Sequence, residues 1–119
     1  GHPRPFLFKD SVNEVQELGV GGPLVGALSG MEYEEGIVHL QKGDRILVYT
    51  DGVTETSACN ESDEDSENFY GVERLMRTFI NNCNLGSHET LSVILNDLEK
   101  FHGSKSFDDD ITMVLAAIV

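Results

Sequence analysis

At 119 residues, with 39% apolar and 24% charged side chains, the chain has the size of one domain; it can bury about two-thirds of its unfolded surface without disulfide staples. Lys and Arg number 8 against 21 Asp and Glu, a formal net charge of −13, and such a surface repels phosphate backbones and anionic lipid, arguing against nucleic acid and membranes as partners. No apolar run approaches the roughly 20 residues of a membrane span, no basic and then apolar leader opens the chain, and two cysteines, Cys59 and Cys83, make no disulfide framework. The expectation is a reduced, cytoplasmic, globular protein, and the absence of a starting Met reads as the mark of a piece of something longer.

In chain order the first pattern is β. Phe6-Leu7-Phe8 reads as a short strand after two prolines, and Glu14 to Leu18 alternates weakly before Gly19, Gly21, Gly22 and Pro23 break it. Ile37 to Leu40 and Arg45 to Thr50 are two aliphatic runs separated by Gln41-Lys42-Gly43-Asp44, which predicts a hairpin. Ile46-Leu47-Val48-Tyr49 is apolar at successive positions and predicts a strand buried on both faces.

Cys59 to Asn68 holds five carboxylates and no base, so it cannot enter a core and predicts a solvated loop. After it the period lengthens. Val72, Leu75, Met76, Phe79 and Ile80 make one helical stripe. Leu91, Ile94, Leu95, Leu98 and Phe101 make another, with Ser87 placed as an N-cap and Gly103 as the stop. Ile111 to Val119 predicts a second central strand, apolar on both faces. Strands, then two helices, then a strand define an α+β fold with helices packed on a sheet.

Two carboxylate positions stand out. Asp51 follows the strand Arg45–Thr50, and Asp108-Asp109-Asp110 precede the strand Ile111–Val119. If those strands pair antiparallel, the end of one lies beside the start of the other, and Asp51 and Asp109 converge at one rim, with Gly52 allowing a sharp turn. No Lys or Arg lies near either in sequence, so a hard divalent cation, Mg²⁺ or Mn²⁺, is the natural counter-charge. Spacing alone leaves a plainer reading open, in which Asp51-Gly52 is a turn and Asp108–Asp110 a solvated strand start.

The run Gly43-Asp44-Arg45-Ile46-Leu47-Val48-Tyr49-Thr50-Asp51-Gly52-Val53-Thr54-Glu55 resembles the signature of the SpoIIE-type (RsbU-like) branch of the PPM metal-dependent serine/threonine phosphatases. Asp109-Asp110-Ile111-Thr112-Met113-Val114 resembles that family's terminal strand. Gly1-His2-Pro3-Arg4-Pro5 and Tyr70-Gly71-Val72-Glu73-Arg74-Leu75 are weaker matches, in family order. The resemblance implies a layered α-β-β-α fold of antiparallel sheets flanked by helices, with two metal ions, Mn²⁺ or Mg²⁺, at one rim. It implies Asp51 and Asp109 as metal ligands, Asp110, Glu55 and Gly52 in support around them, and residues 57–69 as an acidic flap. The family's bridging Asp, in an Asp-Gly motif near the start of its domain, has no counterpart, so residues 1–119 are expected to be the C-terminal half of the domain.

The activity so implied is hydrolysis of phosphoserine or phosphothreonine on a protein by the intact parent, with the isolated chain inactive. Analogy extends this to an anti-sigma-factor antagonist as substrate in bacterial partner-switching, and unpaired sheet edges allow for a homo-oligomer. The alternative is a catalytically silent scaffold or interaction domain of the same fold. His2, His39, His88 and His102 show no ligand spacing, and the last three read as surface or partly buried residues. The glycine-rich stretch 19–26 fits no phosphate-binding loop, and Cys83 reads as a small apolar filler.

Overall fold

A computed structural model of the chain describes residues 2–58, 68–104 and 106–119. The elements are β1 (Phe6–Lys9), β2 (Glu14–Glu17), β3 (Arg45–Tyr49), α1 (Asp51–Thr54), α2 (Val72–Asn81), α3 (Ser87–His102) and β4 (Met113–Ala117). The four strands form one antiparallel sheet in the order β2-β1-β3-β4.

Register decides which side chains make the core. Phe6 lies opposite Leu47, Leu47 opposite Leu115, and Tyr49 opposite Met113, so these residues share one face of the sheet. The stripes of α2 and α3 lie on that face: Leu75, Phe79, Ile94 and Leu98 are fully buried in one cluster with Phe6, Leu47 and Tyr49. Each such side chain taken from water contributes about 1.5–3 kcal/mol. The rings of Phe6 and Phe79 stack at 6.3 Å between centroids. The described residues measure 45 × 43 × 20 Å, and the short dimension fits one sheet and one helix layer, each about 10 Å thick.

The chain is therefore α+β, as its periodicities predict, with helices on one face of the sheet. Three expectations are corrected in detail. The predicted hairpin does not form: 37–40 is not a strand and Ile37 is 88% exposed. β3 has one edge taken by β1 and the other by β4, so no edge is left for 37–40 to pair with. The turn at 41–44 serves β1 instead. Asp44, almost fully buried, accepts hydrogen bonds from the Lys9 ammonium at 2.7 Å, the Gln41 amide at 2.9 Å and the Asp10 amide at 3.2 Å.

β4 is the second correction. It is an edge strand whose residues alternate half-buried and exposed, and Val114 is 59% exposed. Its second face is open because the helices cover only the face that carries Met113 and Leu115. Third, α3 starts on Ser87 but its cap position is Gly86, with no side-chain cap bond. The predicted stop holds: Gly103 is left-handed at φ 82° and its N–H donates to the Glu99 carbonyl, a conformation glycine adopts without steric cost. The acidic run falls at 59–67, outside the described residues, apart from its last residue, Asn68.

Candidate functional site

The end of β3 and the approach to β4 meet at one rim of the sheet. Beyond the last ladder pair, Tyr49 with Met113, Thr50 extends the pairing with both its backbone and its side chain. Its N–H donates to the Thr112 carbonyl at 3.0 Å. Its Oγ1 donates to the Asp110 carbonyl at 3.3 Å and accepts from the Thr112 N–H at 3.1 Å. The chain then turns into the single helical turn α1. Glu55 N–H donates to the Asp51 carbonyl at 2.8 Å and Thr56 Oγ1 to the Gly52 carbonyl at 2.7 Å.

Gly52 is buried where this turn meets the second segment. A Cβ added there would sit 2.5 Å from the Asp110 carbonyl oxygen and 3.6 Å from the Asp109 Cβ. The close approach leaves no room for a side chain, so glycine is required here by space. The two carboxylates of the rim are each held by a local amide: Asp51 Oδ1 accepts from the Gly52 N–H at 3.1 Å, and Asp109 Oδ1 from the Asp110 N–H at 2.7 Å.

Beside this junction is a small cavity of about 110 Å³, walled by Gly52, Glu55, Thr56, His102, Asp108 and Asp109 among others. Asp51, Glu55, Asp109 and Asp110 are all exposed to solvent. Asp110 contributes its backbone carbonyl to the junction, while its side chain is not part of the cavity wall. A larger cavity of about 610 Å³ lies against Arg4, Pro5, Leu18, Gly22 and Tyr33 and contains no carboxylate.

The chemistry of the donor set fits a hard cation in part. Among the described residues the ion pairs are Arg4 with Glu17 and Lys9 with Asp44. Among those residues Asp51 and Asp109 have neither an ammonium nor a guanidinium partner. Carboxylate oxygens on a shared rim suit Mg²⁺ or Mn²⁺. Two side chains do not complete a shell, however, and among the described residues no three His, Cys, Asp or Glu gather to hold an ion.

Two residues at this site escape a reading of the sequence. Thr50 looks like an ordinary last strand residue, although its hydroxyl joins the two segments. His102 is fully buried, against the surface or partly buried setting expected for it. The signal was present: Ile94, Leu98 and His102 lie at i, i+4 and i+8 of one helix face, and all three are buried. His102 Nδ1 lies 2.6 Å from the Ser57 carbonyl oxygen and Nε2 3.0 Å from that of Ser106. Its ring stacks on Phe107 at 5.3 Å. The two carbonyls, the Ser57 carbonyl foremost, hold its pKa above the ordinary value against the opposing effect of burial.

The weaker sequence matches also have a structural meaning. Tyr70 is buried and its hydroxyl donates to Asp97 Oδ2 at 2.7 Å, and burial raises its pKa. The Arg74 guanidinium lies 4.5 Å from the Phe101 ring centre. These contacts tie Tyr70 and α2 to α3. Cys83 is buried, bonded to the Phe79 carbonyl, and its thiol is pushed up to about 11 by burial, which suits a packing role. His2, His39 and His88 are exposed.

The family profile of "Stage II sporulation protein E (SpoIIE)" matches residues 1–119. The chain belongs to the SpoIIE family, and its fold is that of a PPM-type phosphatase domain. It is 30% identical over 115 residues to Protein IcfG of Synechocystis sp., covering 96% of this chain and 17% of that protein. It is 34% identical over 60 residues to Phosphoserine phosphatase RsbU of Bacillus subtilis, covering 50% of this chain and 18% of that protein. The solved SiaA-PP2C domain of Pseudomonas aeruginosa superposes with a TM-score of 0.69 at 22% identity, over 98% of this chain and 43% of that one. The chain thus spans less than half of the solved domain and under a fifth of each curated relative. No helix among the described residues is long and apolar enough to cross a membrane.

Proposed function

We propose that residues 1–119 supply the C-terminal part of a metal-dependent phosphatase domain that removes phosphate from serine or threonine on a protein. The observation that carries this is the junction at the rim: the antiparallel pairing of β3 with β4, extended by Thr50, sets the Asp51 turn against Asp109 and Asp110. In this reading Asp51 and Asp109 hold a divalent cation, Mn²⁺ or Mg²⁺, and the remaining ligands come from a part of the domain beyond this chain. Such a cation supplies Lewis acidity towards a phosphoryl oxygen. The chain's own contribution is to fix two carboxylates on rigid backbone, with Gly52 allowing the close approach and Glu55 and Asp110 adding negative charge around them.

Membership in the SpoIIE family supports a phosphoprotein substrate, and the name of the Bacillus subtilis relative supports phosphoserine. By the same analogy the substrate is an anti-sigma-factor antagonist in a bacterial partner-switching circuit, acting in the cytoplasm. The test is orthophosphate release from a phosphoserine protein by the full-length protein with millimolar Mn²⁺ or Mg²⁺. Turnover that depends on the cation and falls to background in both Asp51→Asn and Asp109→Asn is the expected result. Absence of cation-dependent turnover in the unaltered protein overturns the enzyme in favour of a scaffold of the same fold.

A further inference from the structure

His102 closes the C-terminal end of α3 against two stretches of chain that both lead to the rim. Ser57 follows α1 at the root of the acidic segment, where it bridges Phe69 and where the Tyr70 N–H donates to the Thr56 carbonyl at 2.8 Å. Ser106 lies three residues before Asp109. A backbone carbonyl oxygen only accepts hydrogen bonds, and a neutral imidazole has one N–H. With Ser57 O at 2.6 Å from Nδ1 and Ser106 O at 3.0 Å from Nε2, both bonds form together only when the ring carries both protons.

That imidazolium is 2% exposed, and a buried cation needs compensating charge. The two carbonyls supply part of it. Among the described residues, the acidic groups around it include Asp108, which favours the charged form, and Glu55 and Asp109, which share the cavity wall with it. On its own helix the nearest charged residues are Glu99 and Lys100. Phe107 covers the ring face. The arrangement acts as a clasp: one protonated side chain joins the segment after α1 to the segment before β4, at the wall of the cavity.

We propose that His102 is a positioning residue for the carboxylate rim, whose imidazolium ties Ser57 to Ser106 and thereby fixes Asp108 and Asp109 relative to α1. This rests on the metal-dependent phosphatase reading given above. When the ring loses a proton, one carbonyl loses its donor and one of the two segments is released. Groups that orient metal ligands typically change metal affinity or activity by about 10- to 100-fold when removed.

The experiment has two arms, so that a failure of the clasp and a failure of the enzymatic reading can be told apart. In the first, the protein labelled with ¹⁵N-histidine is titrated. Both His102 ring nitrogens should report protonation near pH 6.5, and the amides of Asp108 to Thr112 should shift in step with the ring as it titrates. A neutral ring with one bare nitrogen at that pH, or amides indifferent to its titration, overturns the proposal. In the second, His102→Gln and His102→Phe are compared with the unaltered full-length protein across pH and Mn²⁺ concentration. Gln keeps a donor but does not titrate. The Mn²⁺ concentration for half-maximal turnover should rise about tenfold in His102→Gln, and the alkaline loss of turnover tied to His102 should disappear. A Mn²⁺ requirement and pH profile within twofold of the unaltered protein in a folded His102→Gln variant overturn it. If the unaltered protein shows no cation-dependent turnover, the enzymatic reading fails, and the clasp stands or falls on the first arm.

Discussion

Thr50 and Asp110 are joined across the two strands: the Thr50 hydroxyl donates to the Asp110 carbonyl at 3.3 Å while it accepts from the Thr112 N–H at 3.1 Å. One side chain therefore replaces the ladder bond that the backbone alone could not make at this point, and it does so beside both carboxylates of the rim. Thr50→Val keeps the shape and removes both bonds, leaving a carbonyl and an amide without that partner. The expected cost is about 1–3 kcal/mol in urea denaturation, with a larger loss of cation-dependent turnover than of stability. Thr50→Ser should restore most of both. Equal effects of Val and Ser would show that the hydroxyl is not what joins the segments.

Gly52→Ala tests the same junction from the other side. Its Cβ would meet the Asp110 carbonyl oxygen at 2.5 Å, a backbone atom that cannot rotate away. Overpacking of this kind costs about 1–3 kcal/mol, and relief requires α1 and the Asp109–Asp110 segment to move apart. The melting temperature should fall, and the amide signals of Asp109 to Thr112 should move more than those of α2. An unchanged spectrum at Asp109 would mean that the two segments do not touch in solution.

The Lys9–Asp44 pair sets an acid limit on the fold. Hydrogen bonding from Lys9, then from the Gln41 amide, holds the Asp44 carboxyl below its ordinary value of 3.8. A carboxyl depressed in the folded state stabilises that state above its unfolded pKa, and the contribution disappears as pH falls through the folded value. Asp44→Asn should therefore lower the melting temperature at pH 7. The gap to the unaltered protein should be constant down to about pH 5 and narrow below about pH 4. A gap that stays constant to pH 2 would show that Asp44 acts there without its charge.

The elements that the sequence made legible are those whose pattern survives on one face. α2 and α3 were readable because Leu75, Phe79, Ile94 and Leu98 repeat at helical spacing and all face the sheet. The run Ile37 to Leu40 misled because its composition suits a strand, while strand formation needs a free edge, and β1 and β4 occupy both edges of β3. β4 misled differently: apolar residues on both faces signal what a strand is able to bury, and at this edge strand the described residues cover only the face that carries Met113 and Leu115. At the rim, Asp51 and Asp109 were legible as acids beside strand ends. Thr50 and His102 were not, because what they do depends on carbonyl groups brought near by the fold, and no spacing in sequence reveals those.

The open face gives the last prediction. On the side away from the helices Leu7 is buried and Ile46 and Val48 are half-buried, but at the edge strand Ala116 is exposed and Val114 is 59% exposed. In the 119-residue chain Val114→Ala should change stability by no more than about 0.5 kcal/mol, as exposed positions usually do. Phe79→Ala, at a fully buried position stacked on Phe6, should cost about 3–5 kcal/mol. If the rest of the phosphatase domain lies on this face, Val114→Ala should cost more in the full-length protein than in the chain alone, and urea denaturation of both lengths measures the difference. The edges of β2 and β4, unpaired among the described residues, and the exposed apolar part of this face also favour association of the isolated chain. That association should appear as a sedimentation coefficient that rises with concentration in the short chain and less so in the long one. A monomeric short chain in which Val114→Ala costs as much as a core truncation would mean that the β4 end of this face, like Leu7 at its β1 end, is covered by part of the same 119 residues.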